Sequence, residues 1–210
     1  SNHNISVSGG TDAMKSFLSF NYQDTPGILE NTGYKKYAIR ANNELVINKW
    51  LKVGMNLNAA FMDRDPGSNQ VGNFFSYTSN CVPSVVVRGP KGEWGGTNNS
   101  EENQGGCLSP LSYLYKYTGE NKSYIFNSKF FVTLTPLPGL VINASYHYKW
   151  NDQKTKEIPH DLVGWNFQTN QISIDWADAP RVQDYDVRAR RNFMDADASY
   201  AKRLLHNLFY

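Results

Sequence analysis

Residues 50–65 read WLKVGMNLNAAFMDRD, and from Leu51 to Phe61 this stretch alternates between apolar and small or polar side chains. The odd positions carry Leu, Val, Met, Leu, Ala and Phe, and the even positions carry Lys, Gly, Asn, Asn and Ala. On a helix, at about 100° per residue, the apolar positions would scatter around the circumference, whereas on a strand they share one face. The alternation lasts about twelve residues, longer than a soluble strand of about 5–6 residues and long enough for a tilted strand that crosses a bilayer. The stretch therefore predicts a long β-strand, of either a soluble antiparallel sheet or a membrane barrel.

The same period of two recurs along most of the chain. It is clearest within residues 4–8, 18–23, 36–42, 124–134, 140–151 and 194–200, and a further strand is expected from about His206. Tight turns (9–13, 46–50, 136–139) alternate with longer connections (24–33, 65–121, 152–187). Barrels of the outer membrane sort short turns to one side and long loops to the other. With no amphipathic helix pattern found, we predict an all-β antiparallel up-and-down meander of about seven or eight long strands, forming part of a transmembrane β-barrel.

Composition and aromatic placement agree with a barrel. The 210-residue chain has a net charge of +2 and lacks basic runs interleaved with aromatic residues, which argues against nucleic-acid binding. No apolar run approaches the roughly 18 residues of a spanning helix, and a polar average is compatible with strands that face water on one side. Trp50 is expected at one rim, beside the tight turns, and six aromatic residues are expected at matched heights near the other rim, beside the long loops: Tyr22, Tyr37, Tyr124, Tyr146, Tyr148 and Trp150. Such rings favour the membrane interface.

Four motifs together resemble one family. They are SVSGG at 6–10, FLSFNY at 17–22, GILENTGY at 27–34 with Arg40 after it, and NNELVINKWLKVGMNLN at 42–58. In this combination and spacing the chain resembles the start of the barrel in SusC/RagA-type TonB-dependent outer-membrane transporters, closely over residues 6–58 and more loosely beyond. Any one of the motifs alone would be weak.

The resemblance implies a bacterial outer-membrane importer of glycans or peptides. It also implies a SusD-like surface lipoprotein as partner and energy supplied by the TonB complex through a plug domain. Barrels of this transporter class have about 22 strands around a plugged lumen. On that comparison we expect residues 1–210 to be a partial barrel, a fragment without plug or closing strands, and not an enzyme, with no cofactor. The alternative is a secreted carbohydrate-binding β-sandwich with exposed aromatic residues.

Candidate site residues follow from this arrangement. The lumen-facing set is Lys36, Arg40, Lys52, Asn56, Asn58, Asn127, Lys129, His147, Lys149, Asp195 and Asp197. The loop aromatics Tyr77, Trp94, Trp165 and Trp176 are candidates for substrate contact, because flat rings stack on sugar faces; the alternative is that they pack the loops on one another. The plain alternative for the lumen-facing set is a hydrated wall.

Cys81 and Cys107, the two cysteines of the chain, lie in one long loop and are a candidate disulfide, worth about 3 kcal/mol; two free buried thiols are the alternative. The acidic residues of the last loop, Asp175, Asp178, Asp184 and Asp186, lack a second, distant acid, so we expect no glycosidase site. Asp195 and Asp197 provide fewer oxygens than the six to eight that Ca²⁺ takes, and we expect no metal site.

Overall fold

Seven long strands form one antiparallel sheet in the computed structural model, which describes residues 1–97, 107–176 and 181–201, apart from the side chains of Ile174 and Trp176. The strands within the described residues are β1 (Asn2–Gly10), β2 (Met14–Pro26), β3 (Gly33–Asn48), β4 (Leu51–Arg64), β5 (Trp94–Gly95), β6 (Tyr117–Leu137), β7 (Leu140–Pro159), β8 (Leu162–Asn166), β9 (Gln171–Trp176) and β10 (Gln183–Tyr200). The long sheet has the order β1-β2-β3-β4-β6-β7-β10, so neighbours in space are also neighbours among the long strands of the sequence. The predicted meander is confirmed, and the further strand expected from about His206 lies outside the described residues.

The connections sort by length between the two ends of the sheet. Residues 11–13, 49–50 and 138–139 join strands at one end, and 27–32, 65–116 and 160–182 join them at the other. Gly139 supplies a φ of +86° in the third tight turn, a conformation that glycine adopts without a steric penalty. The expected asymmetry of turns and loops is therefore present.

The strands run farther than the sequence pattern indicated. β6 begins at Tyr117, β7 continues to Pro159 and β10 begins at Gln183, all within segments that were predicted as loops (65–121 and 152–187). In this region the strands carry polar residues on both faces, and Lys122 pairs directly with Lys154. The hydrophobic alternation therefore stops while the backbone pairing continues, so the predicted strands were too short at the ends that face the long loops.

One helix contradicts the expectation that the chain has none. α1 covers Val71–Asn80 and follows a 3-10 turn at Pro66–Gln70; a second 3-10 turn covers Pro110–Tyr115. α1 lacks a capping side chain and acidic residues in its first turn, and none of its residues is buried. The usual sequence signals of a helix start are thus missing. Within the described residues, no helix is both long and apolar enough to cross a membrane.

The buried apolar core lies in the long loops and not against the long sheet. Among the described residues, the buried hydrophobic side chains are Leu108, Tyr113, Leu114 and Leu162. They accompany a small sheet of order β5-β8-β9, in which β5 and β8 are parallel and β9 is antiparallel to β8. We call these packed segments of 65–97, 107–116 and 160–176 the loop layer. In the described part of the chain, no second sheet packs on the long sheet, so the architecture of the sandwich alternative is not formed.

The long sheet has one apolar and one polar face. The face that bears Leu51, Val53, Met55, Leu57 and Phe61 is called the apolar face, and the opposite one the polar face. Directly paired residues of antiparallel strands share a face, and Leu57 is paired with Ala41 and Ser128 while Asn56 is paired with Asn42 and Lys129. Large apolar side chains on the apolar face are exposed. The predicted alternation is confirmed, and the apolar face lacks a protein layer over it among the described residues.

Candidate functional site

An unbroken row of aromatic rings crosses the apolar face near the end that carries the long loops. Tyr22, Tyr37, Phe61 and Tyr124 occupy one register row of β2, β3, β4 and β6. The ring centroids are 5.1 Å apart for Tyr22 and Tyr37, 6.1 Å for Tyr37 and Phe61, and 5.1 Å for Phe61 and Tyr124. His3 on β1 extends the row, 6.2 Å from Tyr22. Three tyrosines with polar hydroxyls on one level are what a membrane interface favours.

On the polar face, Ser145, His147 and Asp195 meet at one point. His147 Nε2 lies 2.8 Å from Ser145 Oγ and 3.0 Å from Asp195 Oδ1, and Ser145 Oγ donates to Asp195 Oδ1 at 2.7 Å. The imidazole also stacks on Phe193, with ring centroids 4.2 Å apart. Sequence reasoning found His147 and Asp195 but missed Ser145, whose type and position carry no distinguishing signal.

This set does not have the geometry of a nucleophile, base and orienting acid. A hydrolytic triad needs the carboxylate at the imidazole nitrogen opposite the one that faces the serine. Here the serine and the carboxylate both contact Nε2. The contacts join β7 to β10 and fix the direction of the three side chains, and we assign them a structural role.

The other predicted lumen-facing residues also lie on the polar face. Asp197 accepts from Asn143 Nδ2 at 3.1 Å, and Lys52 pairs with Glu44 at 3.1 Å. Arg40, Asn58, Asn127 and Lys149 occupy one register row of β3, β4, β6 and β7. Lys36, Asn56 and Lys129 share the same face by the alternation of their strands. Among the described residues, no group of three or more His, Cys, Asp and Glu side chains is arranged to hold a metal ion.

The predicted aromatic substrate contacts lie in the loop layer. Tyr77 of α1 stacks on Tyr113, with centroids 3.8 Å apart and ring planes 6° apart. Trp94 packs against the buried cluster of Leu108, Tyr113 and Leu162. Trp165 lies half-buried in β8, and the side chain of Trp176 is outside the described residues. Tyr77 and Trp94 therefore pack loop segments together, and a contact with substrate stays a prediction for all four. Of the acidic residues of the last loop, Asp175 lies in β9 and Asp184 and Asp186 lie in β10, and Asp178 is outside the described residues.

An arginine connects the first long loop to the loop layer. The Arg88 guanidinium lies 4.0 Å above the centroid of the Trp94 ring and 4.9 Å above that of Tyr115. Its Nη2 is 3.2 Å from Glu30 Oε2, the oxygen that also accepts from Tyr115 at 2.9 Å. Burial and the hydrogen bond to the Glu30 carboxylate raise the pKa of Tyr115. Sequence reasoning missed this cluster, because Glu30 and Arg88 are far apart in the chain and the motif that contains Glu30 does not indicate its partner.

The two cysteines are neighbours and are present as free thiols in this structure. Burial and a hydrogen bond with the Cys107 thiol raise the pKa of Cys81 to about 12. Cys81 Sγ also lies 3.9 Å from the carbonyl oxygen of Leu108, and Cys107 Sγ lies 3.5 Å from that of Asn80. The spatial arrangement brings both residues of the candidate disulfide together, and the bond itself stays a prediction.

Comparisons with known proteins agree with this architecture. The chain is 23% identical over 154 residues to TonB-dependent receptor P26 of Formosa agariphila and 23% identical over 155 residues to TonB-dependent receptor P3 of the same organism. These matches cover 73% and 70% of the chain, respectively, and the chain spans 15% of the length of either relative. No protein-family model matches the chain.

Two solved structures have a similar fold. One is the RagAB peptide transporter, with a TM-score of 0.57 and 14% identity over 95% of this chain and 30% of the other. The second is the RagAB peptide importer in the open-open state, with a TM-score of 0.57 and 19% identity over 94% of this chain and 20% of the other. The resemblance to SusC/RagA-type TonB-dependent transporters is confirmed. The long sheet has the fold of a segment of such a transporter barrel, and the relatives are receptors and transporters and not enzymes.

Proposed function

We propose that this chain forms part of the wall of a TonB-dependent transporter in the bacterial outer membrane. The observation that carries the proposal is the aromatic row on the apolar face, which marks one membrane interface at the end of the sheet that bears the long loops. The apolar face meets lipid in this arrangement, and the polar face lines the lumen. The loops 27–32, 65–116 and 160–182 lie outside the cell, and the tight turns lie in the periplasm.

The transported substrate is a glycan or a peptide, captured with a SusD-like surface lipoprotein, and the TonB complex supplies the energy through the plug domain. Support comes from the similarity to TonB-dependent receptors and to the fold of the RagAB structures. The loop layer supports a role in external recognition, because its segments pack around a buried cluster and present a folded surface at the proposed outer end of the barrel.

Cysteine labelling in intact cells tests the orientation. In the full-length transporter with Cys81 and Cys107 replaced by serine, a membrane-impermeant maleimide should label Ile28→Cys, since Ile28 is fully exposed in the first long loop. Lys49→Cys in a tight turn should be labelled only after the outer membrane is permeabilised. Labelling of Lys49→Cys in intact cells, or equal labelling of both, would contradict the proposed orientation.

A further inference from the structure

The polar face contains a pocket with several cations and no acid. Its volume is about 420 Å³, and its lining includes Arg40, Lys129, Lys149 and His147 together with the amides of Asn42, Asn56, Asn58 and Asn127. Among the residues that the structure describes, no Asp or Glu side chain lines it. Three permanent positive charges around one cavity repel each other, and an anion in the cavity would remove that repulsion.

The strand register concentrates these charges. Arg40, Asn58, Asn127 and Lys149 are paired in one row across four adjacent strands. Strands are about 4.8 Å apart, so the backbones of Arg40 and Lys149 are separated by roughly 14 Å, a gap that two long side chains reach across from opposite sides. Lys149 is also paired directly with Arg191 of β10, and like charges directly opposite each other destabilise a sheet.

Within the described part of the chain, the lysines and the arginine of the pocket form no direct ion pair with an acid. Among the described residues, no carboxylate oxygen lies within 4.0 Å of the side-chain nitrogens of Arg40, Lys129 or Lys149. Asp195 is close enough to Lys129 for their charges to interact, but its carboxylate accepts a hydrogen bond from Ser145 and contacts His147. Lys52, by contrast, has its own partner in Glu44 on the same face.

From this arrangement we infer that the pocket binds an anionic group of the transported substrate, a carboxylate, sulfate or phosphate. The inference rests on the proposed function and specifies the chemical class of its substrate. Arg40 and the two lysines donate charge-assisted hydrogen bonds to the anion. The four asparagine amides, which donate and accept, bind the hydroxyl or amide groups beside it. An acidic oligosaccharide or an acidic peptide fits this lining, and a neutral one leaves the charges unpaired.

Lysine acetylation of the full-length transporter in detergent tests the inference. The probes are inorganic sulfate, trigalacturonate and the neutral galactose trimer, and the acetylation rates of Lys129, Lys149 and Lys52 are read by mass spectrometry. We expect sulfate and trigalacturonate to slow acetylation of Lys129 and Lys149 and to leave the rate at Lys52 unchanged, whereas the neutral trimer has no effect. Arg40→Gln should weaken protection by trigalacturonate about tenfold, since one charge-assisted hydrogen bond is lost. Lys36→Gln, on the same strand and face but outside the pocket lining, is the matched control.

Each other outcome overturns the assignment. Equal protection by the neutral trimer would contradict an anion site. Slow acetylation of both lysines before any probe is added, combined with a lower unfolding temperature of Arg40→Gln, would show that an acidic segment of the transporter fills the pocket instead. Normal folding is checked by heat-modifiable gel mobility. Because the surface-labelling test above uses no ligand, a transporter that passes it but shows no protection refutes this inference alone.

Discussion

An arginine on the apolar face of β4 should destabilise the membrane-inserted barrel in proportion to its depth. Leu57 lies four residues before Phe61 of the aromatic row. With about 3.4 Å per residue and a strand tilt near 40°, Leu57 lies roughly 10 Å below the interface, close to the middle of an apolar band about 25 Å tall. Its direct partners Ala41 and Ser128 are small and give an arginine no shelter. We therefore expect Leu57→Arg to lower the free energy of unfolding by about 2–4 kcal/mol.

Two matched variants on the same strand distinguish an effect of membrane depth from a general loss of stability caused by the new charge. Val53 lies eight residues from Phe61, roughly 21 Å below the row and near the other interface, so Val53→Arg should cost only about 0–1 kcal/mol. Asn56→Arg places the same charge on the polar face and should leave stability nearly unchanged. The assay is urea unfolding of the full-length protein refolded into phospholipid vesicles, followed by heat-modifiable gel mobility. Equal costs for Leu57→Arg and Asn56→Arg would refute the assignment of faces, and an equal cost for Val53→Arg would refute the assigned depth.

Three further predictions concern packing and thiol chemistry. A Cβ at Gly54 would lie 2.1 Å from the Phe131 ring, so Gly54→Ala should lower the free energy of unfolding by about 1–3 kcal/mol in the same assay. Adding Phe131→Ala should recover part of that loss. Unchanged stability of Gly54→Ala would contradict the close contact. Arg88→Ala should destabilise the packing of the loop between β2 and β3 by about 1 kcal/mol, and hydrogen–deuterium exchange in that loop should become about five-fold faster. Arg88→Lys should give an intermediate rate, because lysine keeps the charge but loses the planar stacking. Unchanged exchange in Arg88→Ala would count against the connection. Mass spectrometry of the non-reduced protein should find Cys81 and Cys107 bonded, and two free thiols before reduction would exclude the disulfide. Once the protein is reduced, alkylation of Cys81 should be slow at pH 8 and should accelerate as the pH rises towards the raised pKa of Cys81 of about 12, because only the thiolate reacts.

The sequence by itself determined the long sheet. The alternation from Leu51 to Phe61 assigns each side chain to a face without knowledge of its neighbours, because successive side chains of a strand point in opposite directions. Turn residues such as Gly139 and the unequal connection lengths then determined the meander and its two different ends. Tyr22, Tyr37 and Tyr124 of the aromatic row could also be placed at one height, since their positions in the strands follow from the turns. The same expectation was wrong for Tyr146, Tyr148 and Trp150, which pair with Phe130, Ser128 and Phe126 and lie farther from the long loops, because β7 runs on beyond Trp150 to Pro159.

Only the tertiary structure decided the loop layer and the contacts within the faces. α1 packs through Tyr77 onto Tyr113, and Arg88 reaches Glu30, yet the residues of each pair are far apart in the chain and no local pattern relates them. The meeting of Ser145 with His147 and Asp195 depends on the register between β7 and β10, which the backbone pairing sets and which composition does not reveal. The register between β7 and β10 also places Lys149 beside Arg191, and the registers of β3, β4, β6 and β7 place it level with Arg40. Local alternation determines the face of a residue, whereas register and loop packing determine its partners, and the proposed anion site depends on those partners.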